Sequence, residues 1–352
     1  MRKRLLYIIL FFLSFTVCAF GLEFSDVTEN SRPNLPDDFY YRKDYRVQWW
    51  YLTGHLIDET GREFGYELTF FVASVQKREY KSRFGVRNIY ISHFALSDVK
   101  GRRFLSSESA DSGVFGFAGA AEKGLDVWVG NNSLKGTQEK LQIRASDKDK
   151  GIGLDLLLLP AKPVVLNGDA GYSRKSEESP LIASLYFSCT NLDTQGTLSI
   201  GNRTFRVKGK SWFDREISSR GLDASERGWD WFSIQLGDER EVMLYLIRKK
   251  DGSVDRYSSG TFVYKDGSSR HLSLPDFKVT VLSHYRSAKT GAEYPSKWQI
   301  AIPSENLTLM VTPLIEDQEF QGSAITGNNY WEGTCSVAGS TGGRAYVELV
   351  GY

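Results

Sequence analysis

The chain has 352 residues, with 44 Lys and Arg against 43 Asp and Glu and a formal net charge of +1. That length predicts two domains, each able to close its own core, and the charge balance argues against nucleic acid or an anionic surface as the main partner. An aromatic share of 13%, with 33 Gly but 9 Pro, suits pleated sheets joined by hairpins.

At the N-terminus Arg2, Lys3 and Arg4 precede an apolar run from Leu5 to Leu13, and small residues follow at Ala19 and Gly21. This pattern predicts a cleaved signal peptide over residues 1–21 and export to the periplasm or the medium. The run is shorter than the roughly 20 residues a membrane span needs. Cys18 offers a second reading as a lipoprotein anchor, although Val17 stands where such motifs carry Gly, Ala or Ser. Beyond it lie Cys189 and Cys335, one in each half. They form either an inter-domain disulfide or two buried thiols, the buried thiols being the simpler reading.

Residues 22–43 form a polar, Pro-bearing leader without periodicity. From Tyr45 onward, strand follows strand with short turn signals between them. A hairpin is predicted over 49–56 and 62–68 around Asp58-Glu59-Thr60-Gly61, and further strands over 88–97, 125–129, 141–145, 152–159, 181–190, 196–201 and 204–216. The stretch 217–226 is the one helical candidate; it is short and glycine-flanked, and reads as a linker. The programme then repeats, with a hairpin over 229–236 and 240–246 and strands over 259–265, 277–283, 298–303, 307–312, 330–338 and 345–352. The expected fold is all-β: two antiparallel domains, 22–216 and 217–352, each closing into a barrel or near-barrel that removes its sheet edges and can enclose a small ligand.

The second half opens as the first does. Trp49-Trp50-Tyr51-Leu52-Thr53-Gly54-His55-Leu56 is echoed 180 residues on by Trp229-Asp230-Trp231-Phe232-Ser233-Ile234-Gln235-Leu236. Strand alternation places Trp49, Tyr51, Thr53 and His55 on one face and Trp50, Leu52 and Leu56 on the other. In the copy Trp229, Trp231, Ser233 and Gln235 oppose Phe232, Ile234 and Leu236. Each hairpin thus has one apolar face and one face of aromatic rings with polar groups. The mixed face is the expected ligand-cavity lining, with a purely structural cap as the alternative.

Residues Lys210 to Glu216 carry the sharper signal. Trp212, Asp214 and Glu216 share a strand face while Arg215 points away, and two carboxylates beside a Trp are costly to bury unless paired or protonated. Asp214 is therefore a candidate acid, with Trp rings stabilising a cation; the alternative is an inter-domain ion pair to Arg or Lys. Tyr330-Trp331-Glu332 is a similar cluster, with Tyr330 and Glu332 on one face. His93, alone on its strand, is either a proton shuttle or a satisfied buried histidine. His271 and His284 look like surface residues. The four His show no ligand spacing, and there is no G-x-S-x-G elbow, P-loop or dinucleotide fingerprint. No metal or cofactor is expected.

Gln48-Trp49-Trp50-Tyr51 with Thr53-Gly54-His55 resembles the opening motif of the AttH-like and carotenoid 1,2-hydratase-like lipocalin family. So do Lys210-Ser211-Trp212-Phe213-Asp214-Arg215-Glu216, Gly228-Trp229-Asp230-Trp231, Asp317-Gln318-Glu319, Tyr330-Trp331-Glu332-Gly333 and Tyr346-Val347-Glu348-Leu349-Val350-Gly351-Tyr352. The resemblance covers nearly the whole chain after the leader and implies two tandem lipocalin-like barrels. It implies less about activity, because the family includes carotenoid hydratases, relatives of terpenoid and polyketide cyclases, and members of unknown role. It also implies that Asp214 matches the acid of the hydratases, and that a lipoprotein-export-type ABC transporter could be a partner.

Two functions follow. The first is an exported protein that binds an apolar small molecule, lipid or isoprenoid. The second is a hydratase or cyclase-type enzyme in which Asp214 protonates an isolated double bond, with Glu216 and His93 as further candidate catalytic groups. The ligand would be lined by Trp49, Tyr51, His55, Trp212, Trp229, Trp231, Tyr330, Trp331 and Glu332. An Asp214 buried without a basic partner favours the enzyme; one locked to Arg or Lys favours simple binding.

Overall fold

Strands of alternating pattern, separated by turns that glycine or aspartate can make, pair with their neighbours in sequence until the first and last strands of each half meet. The computed structural model describes residues 24–77, 82, 84–322, 327 and 329–352; residues 1–21, expected to be a signal peptide, and Cys18 among them lie outside these. In the first half run β1 (Val47–Asp58), β2 (Glu63–Ser74), β3 (Asn88–Asp98), β4 (Arg103–Asp111), β5 (Ala118–Ala120), β6 (Leu125–Val129), β7 (Asn132–Thr137), β8 (Lys140–Asp147), β9 (Ile152–Pro160), β10 (Val165–Leu166), β11 (Tyr172–Arg174), β12 (Ala183–Ile200) and β13 (Arg203–Ser218). In the second run β14 (Glu226–Leu236), β15 (Glu241–Lys249), β16 (Ser259–Val263), β17 (Ser269–Ser273), β18 (Lys278–Arg286), β19 (Glu293–Ile302), β20 (Leu307–Pro313), β21 (Glu319–Gln321), β22 (Asn329–Gly339) and β23 (Gly343–Val350). No helix long and apolar enough to cross a membrane occurs among the described residues.

The first sheet has the order β4-β3-β2-β1-β13-β12-β9-β8-β7-β6-β5, and the second β17-β16-β15-β14-β23-β22-β20-β19-β18. The two are editions of one plan. In each, the opening strand pairs with the closing one, β1 with β13 and β14 with β23, and short strands dock on the penultimate one, β10 and β11 on β12 and β21 on β22. The edge strands β4 and β5 are not paired with each other among the described residues, so the first sheet is a near-barrel.

One expectation about the strands is corrected. The strands expected over 181–190 and 196–201 are one strand, β12, with a bulge between Cys189 and Leu192 that absorbs the break in alternation. The stretch 217–226, read as a linker, contains the connection between the halves: Ile217 and Ser218 finish β13 and Glu226 opens β14. The leader packs against the first half. Phe39 is buried in the first core, stacked on Phe213 with ring centroids 5.7 Å apart, and its carbonyl accepts the Trp50 indole N–H at 2.7 Å. Cys189 and Cys335 are separate buried thiols.

The apolar face of each hairpin forms the core of its own half. Trp50, Leu52 and Leu56 pack with Phe64, Leu68 and Phe70, while Phe232, Ile234 and Leu236 pack with Val242, Leu244 and Trp298. The mixed faces do not line two separate barrel interiors, as alternation alone suggested. They are stacked on each other, burying Tyr51, Tyr186, Trp212, Trp231, Met243, Tyr245 and Tyr346 in one layer between the sheets. The approach is close at Gly65 of β2, where a Cβ would stand 2.8 Å from the Thr334 Cβ of β22. Polar bridges across the layer include Ser97 to Gln318 and His55 to Thr334, each 2.7 Å.

Candidate functional site

Antiparallel register aligns the chemistry of the first sheet in a single row. From β12 to β4, directly opposed residues run Ser188, Asp214, Tyr51, Thr69, His93 and Glu108. In the second sheet the facing row runs Ser259, Tyr245, Trp231, Glu348 and Glu332. Stacked together, the rows place Tyr51 edge-on to Trp231, with ring centroids 5.0 Å apart, and Trp231 edge-on to Trp212 at 6.2 Å. The Tyr51 hydroxyl donates to Glu332, 281 residues away.

Asp214, 3% exposed, is held by neutral donors. Trp212 Nε1 donates to Oδ1 at 2.6 Å, Ser188 Oγ to the same oxygen at 2.5 Å, and the Tyr186 hydroxyl to Oδ2 at 2.6 Å. Trp231 Nε1 in turn donates to the Tyr186 hydroxyl at 3.0 Å. Burial pushes the Asp214 pKa up to about 7; the three donors pull against that rise, and the nearby Glu216 charge adds to it. An ion pair does form beside it, but within the first half and on Glu216, not between the domains and not on Asp214. Lys175 Nζ sits 3.2 Å from Glu216 Oε1 and lies over the rings of Tyr186 and Tyr245 at 4.7 and 4.1 Å. Burial opposes the Lys175 charge, but Glu216 and the neighbouring Tyr245 and Asp214 outweigh it and hold its pKa above the ordinary lysine value.

A second group of acids faces the same layer. Glu67 accepts from Thr69, and Glu332 and Glu348 are directly opposed on β22 and β23. Trp229 Nε1 donates to Glu348 Oε2 at 2.8 Å. Burial raises all three, Glu67 to about 8, Glu348 to about 7 and Glu332 well above the carboxylate range; the Glu348 charge adds to the rise at Glu67, the Glu67 and Glu348 charges at Glu332, and the Glu216 and Asp214 charges at Glu348.

His93 is satisfied at both nitrogens, with the Tyr330 hydroxyl 2.7 Å from Nδ1 and Glu108 Oε2 3.1 Å from Nε2, and it stacks on Phe320 at 4.4 Å. His55 lies at the border of the layer against Thr334; burial, helped by the Arg344 charge, lowers its pKa to about 3 and keeps it neutral. His271 and His284 are exposed.

The layer therefore brings together Tyr51, Trp212, Asp214, Glu216, Trp231 and Glu332, with Trp49 and Trp229 half-buried at its border and His93 with Tyr330 at the far end of the row. Trp331 is a correction. Alternation turns it to the opposite face of β22, into the second core beside Trp298, with its indole N–H on the Glu316 carbonyl at 2.7 Å. Sequence reasoning missed Glu67, Glu348, Lys175, Tyr186 and Ser188 as site residues. A lone acid inside an apolar strand, as in Tyr66-Glu67-Leu68 and Val347-Glu348-Leu349, was the available signal for the first two.

These acids make stability depend on pH. Their folded pKa values lie above the ordinary 3.8 and 4.5, so the native state holds protons that the unfolded chain releases. The stabilisation is complete below pH 4 and is lost as pH rises through 7 to 8. The thermal midpoint should fall between pH 5 and pH 8.5 by at least ~3 °C, the effect of only ~2 kcal/mol in a chain of this size. Calorimetry across that range checks it; a flat or rising midpoint would mean that these carboxyls are ionised in the fold.

Comparison with known proteins places this geometry in context. Residues 26–352 match the family model described as AttH-like. A Nitrosomonas europaea protein assigned as AttH superimposes with a TM-score of 0.85 at 30% identity, over 93% of this chain and 99% of that one. Kievitone hydratase from Nectria haematococca shares the fold, with a TM-score of 0.69 at 17% identity over 94% and 97% of the two chains. Among curated proteins, Dehydratase asqC of Emericella nidulans is 23% identical over 283 residues, 76% of this chain and 77% of that protein.

Proposed function

The chain belongs to the AttH-like family, and from that premise we propose that it adds water to, or removes water from, a largely apolar small molecule bound between the two sheets. The observation that carries this reading is Asp214: buried, held by three neutral donors, with Lys175 engaged by Glu216 instead. An acid in that setting keeps its proton near neutral pH and can give it to a weak base such as an alkene carbon or a hydroxyl oxygen.

In the hydration direction the Asp214 proton bonds to one alkene carbon as the π pair is consumed, leaving a cation on the other. The faces of Trp212, Trp231 and Tyr51 stabilise that cation. Water adds through oxygen, and its surplus proton returns to the Asp214 carboxylate. One water is gained and nothing is oxidised. Dehydration is the same path reversed. The dehydratase name of the Emericella nidulans relative supports the reaction class. The aromatic layer supports an apolar ligand. Export belongs to the same reading, supported by Arg2-Lys3-Arg4 and the apolar run behind them.

The test is native mass spectrometry of protein purified from its own host, to find the retained molecule, followed by incubation with that molecule in excess. A product differing by one water is the expected result. Recovery of the molecule unchanged at every pH from 5 to 8 would overturn catalysis and leave a carrier.

A further inference from the structure

We propose that Asn167, anchored on Thr261 of the second sheet, is a positioning residue that holds the Ser188 hydroxyl as a donor to Asp214, leaving Oδ2 as the oxygen that carries the transferable proton. This rests on the reading of Asp214 as the acid.

The relay is made of four side chains, each at most 3% exposed. Thr261 Oγ1 donates to Asn167 Oδ1 at 2.8 Å, Asn167 Nδ2 donates to Ser188 Oγ at 2.8 Å, and Ser188 Oγ donates to Asp214 Oδ1 at 2.5 Å. An amide nitrogen cannot accept, so Ser188 must spend its own proton on another acceptor, and Asp214 is that acceptor. Indole N–H groups only donate, so Trp212 fills the second lone pair of Oδ1. Oδ2 receives one donor, Tyr186, whose hydroxyl is in turn directed by Trp231. One lone pair therefore remains, and it is on Oδ2.

Local structure holds Asn167 in place. It directly follows β10, its backbone N–H donates to the Tyr186 carbonyl of β12 at 3.0 Å, and the chain turns away at once through Gly168, whose φ of +69° a side chain would resist. Thr261 comes from β16 of the other sheet, so the acid is fully oriented only when the two halves are docked. The ionisable groups that face Asp214 are Glu216 on its own strand, Tyr51 on β1, Tyr186 on β12, Lys175 beyond β11 and Glu348 on β23, with the Cys189 thiol on the opposite face of β12, in the first core. None of them is a member of the relay, so its effect can be separated from theirs.

The test reads Asp214 directly, without turnover. In protein carbon-labelled at aspartate carboxyls, the Asp214 resonance is identified by its loss in Asp214→Asn and followed against pH. With Asn167→Leu, Ser188 is free to turn and accept from the protonated acid. The titration midpoint should therefore rise by about one pH unit, a tenfold weaker acid. In Ser188→Ala the midpoint should also rise, and adding Asn167→Leu to it should give no further shift, because the effect passes through Ser188. Thr261→Val, which removes the anchor with little change of volume, should shift the midpoint in the same direction by less and serves if Asn167→Leu does not fold. An unchanged midpoint in the folded single variants, or shifts that simply add, would overturn the relay. A wild-type midpoint below pH 5 would overturn the acid itself, and so tells the two failures apart.

Discussion

Asp214→Asn should lower the rate of water addition or removal by two to four orders of magnitude, the range expected when a positioned acid is lost. Asparagine has nearly the same shape, and its carbonyl can still accept from Trp212 and Ser188, so the layer should keep its packing. What it lacks is a dissociable proton, and its amide nitrogen would meet the Tyr186 hydroxyl, which donates to Oδ2 in the native chain. Steady-state rates on the identified molecule, with retention of that molecule by the variant, separate lost chemistry from lost binding. The pH behaviour gives an independent check. With a folded pKa of about 7, wild-type activity should be full below neutrality and decline as pH rises through 7, as the acid gives up its proton before the substrate arrives. Residual activity in the variant should lack that decline. A variant that turns over within tenfold of wild type would remove Asp214 from the chemistry and shift attention to the Glu67, Glu332 and Glu348 group.

Arg215→Met should be the most destabilising of the simple substitutions. The guanidinium is fully buried and lies 3.9 Å over the Trp50 ring. It donates to the carbonyls of Asp38, Tyr40, Trp49 and Glu216 at 2.9, 2.8, 3.3 and 2.9 Å and to the Gln48 side-chain oxygen at 2.8 Å. Methionine keeps much of the volume and strips every donor. Each buried carbonyl left without its partner costs ~1–3 kcal/mol, so the sum should reach at least ~4 kcal/mol even if some find other donors. The thermal midpoint should then fall by about 5 °C or more. Arg215→Lys should recover only part of this, since an ammonium has three donors and no flat face to lay on Trp50. The damage should extend to function, because Arg215 ties the leader to the two strands that present Trp49 and Glu216 to the layer. A Met variant melting within 2 °C of wild type would show the leader to be held by its apolar contacts alone.

Much of the architecture was legible because strand alternation is a local property. The pleat assigns Trp49, Tyr51, Thr53 and His55 to one face and Trp50 and Leu52 to the other wherever the strand ends up. The echo of the first hairpin in the second likewise announced a duplicated plan. The same local rule should have excluded Trp331, which alternates with Tyr330 and Glu332. Its aromatic character, read without its position on the pleat, placed it wrongly. Glu67 and Glu348 were passed over for the opposite reason: a single acid in a strand carries no visible partner.

The residues alone determined that the chain is all-β and doubled, that Trp212, Asp214 and Glu216 share a face, and that Arg215 does not join them. Only the tertiary structure decided that the mixed faces of the two halves meet, that Glu216 takes Lys175, and that Asp214 keeps Tyr186, Ser188 and Trp212. The physical reason is reach. Alternation is set by bonds within a strand, whereas an acid's pKa is set by whatever lies within a few ångströms. Here those neighbours come from β12, from the segment beyond β11 and from the other sheet, through pairings and stacking that no short stretch of sequence encodes.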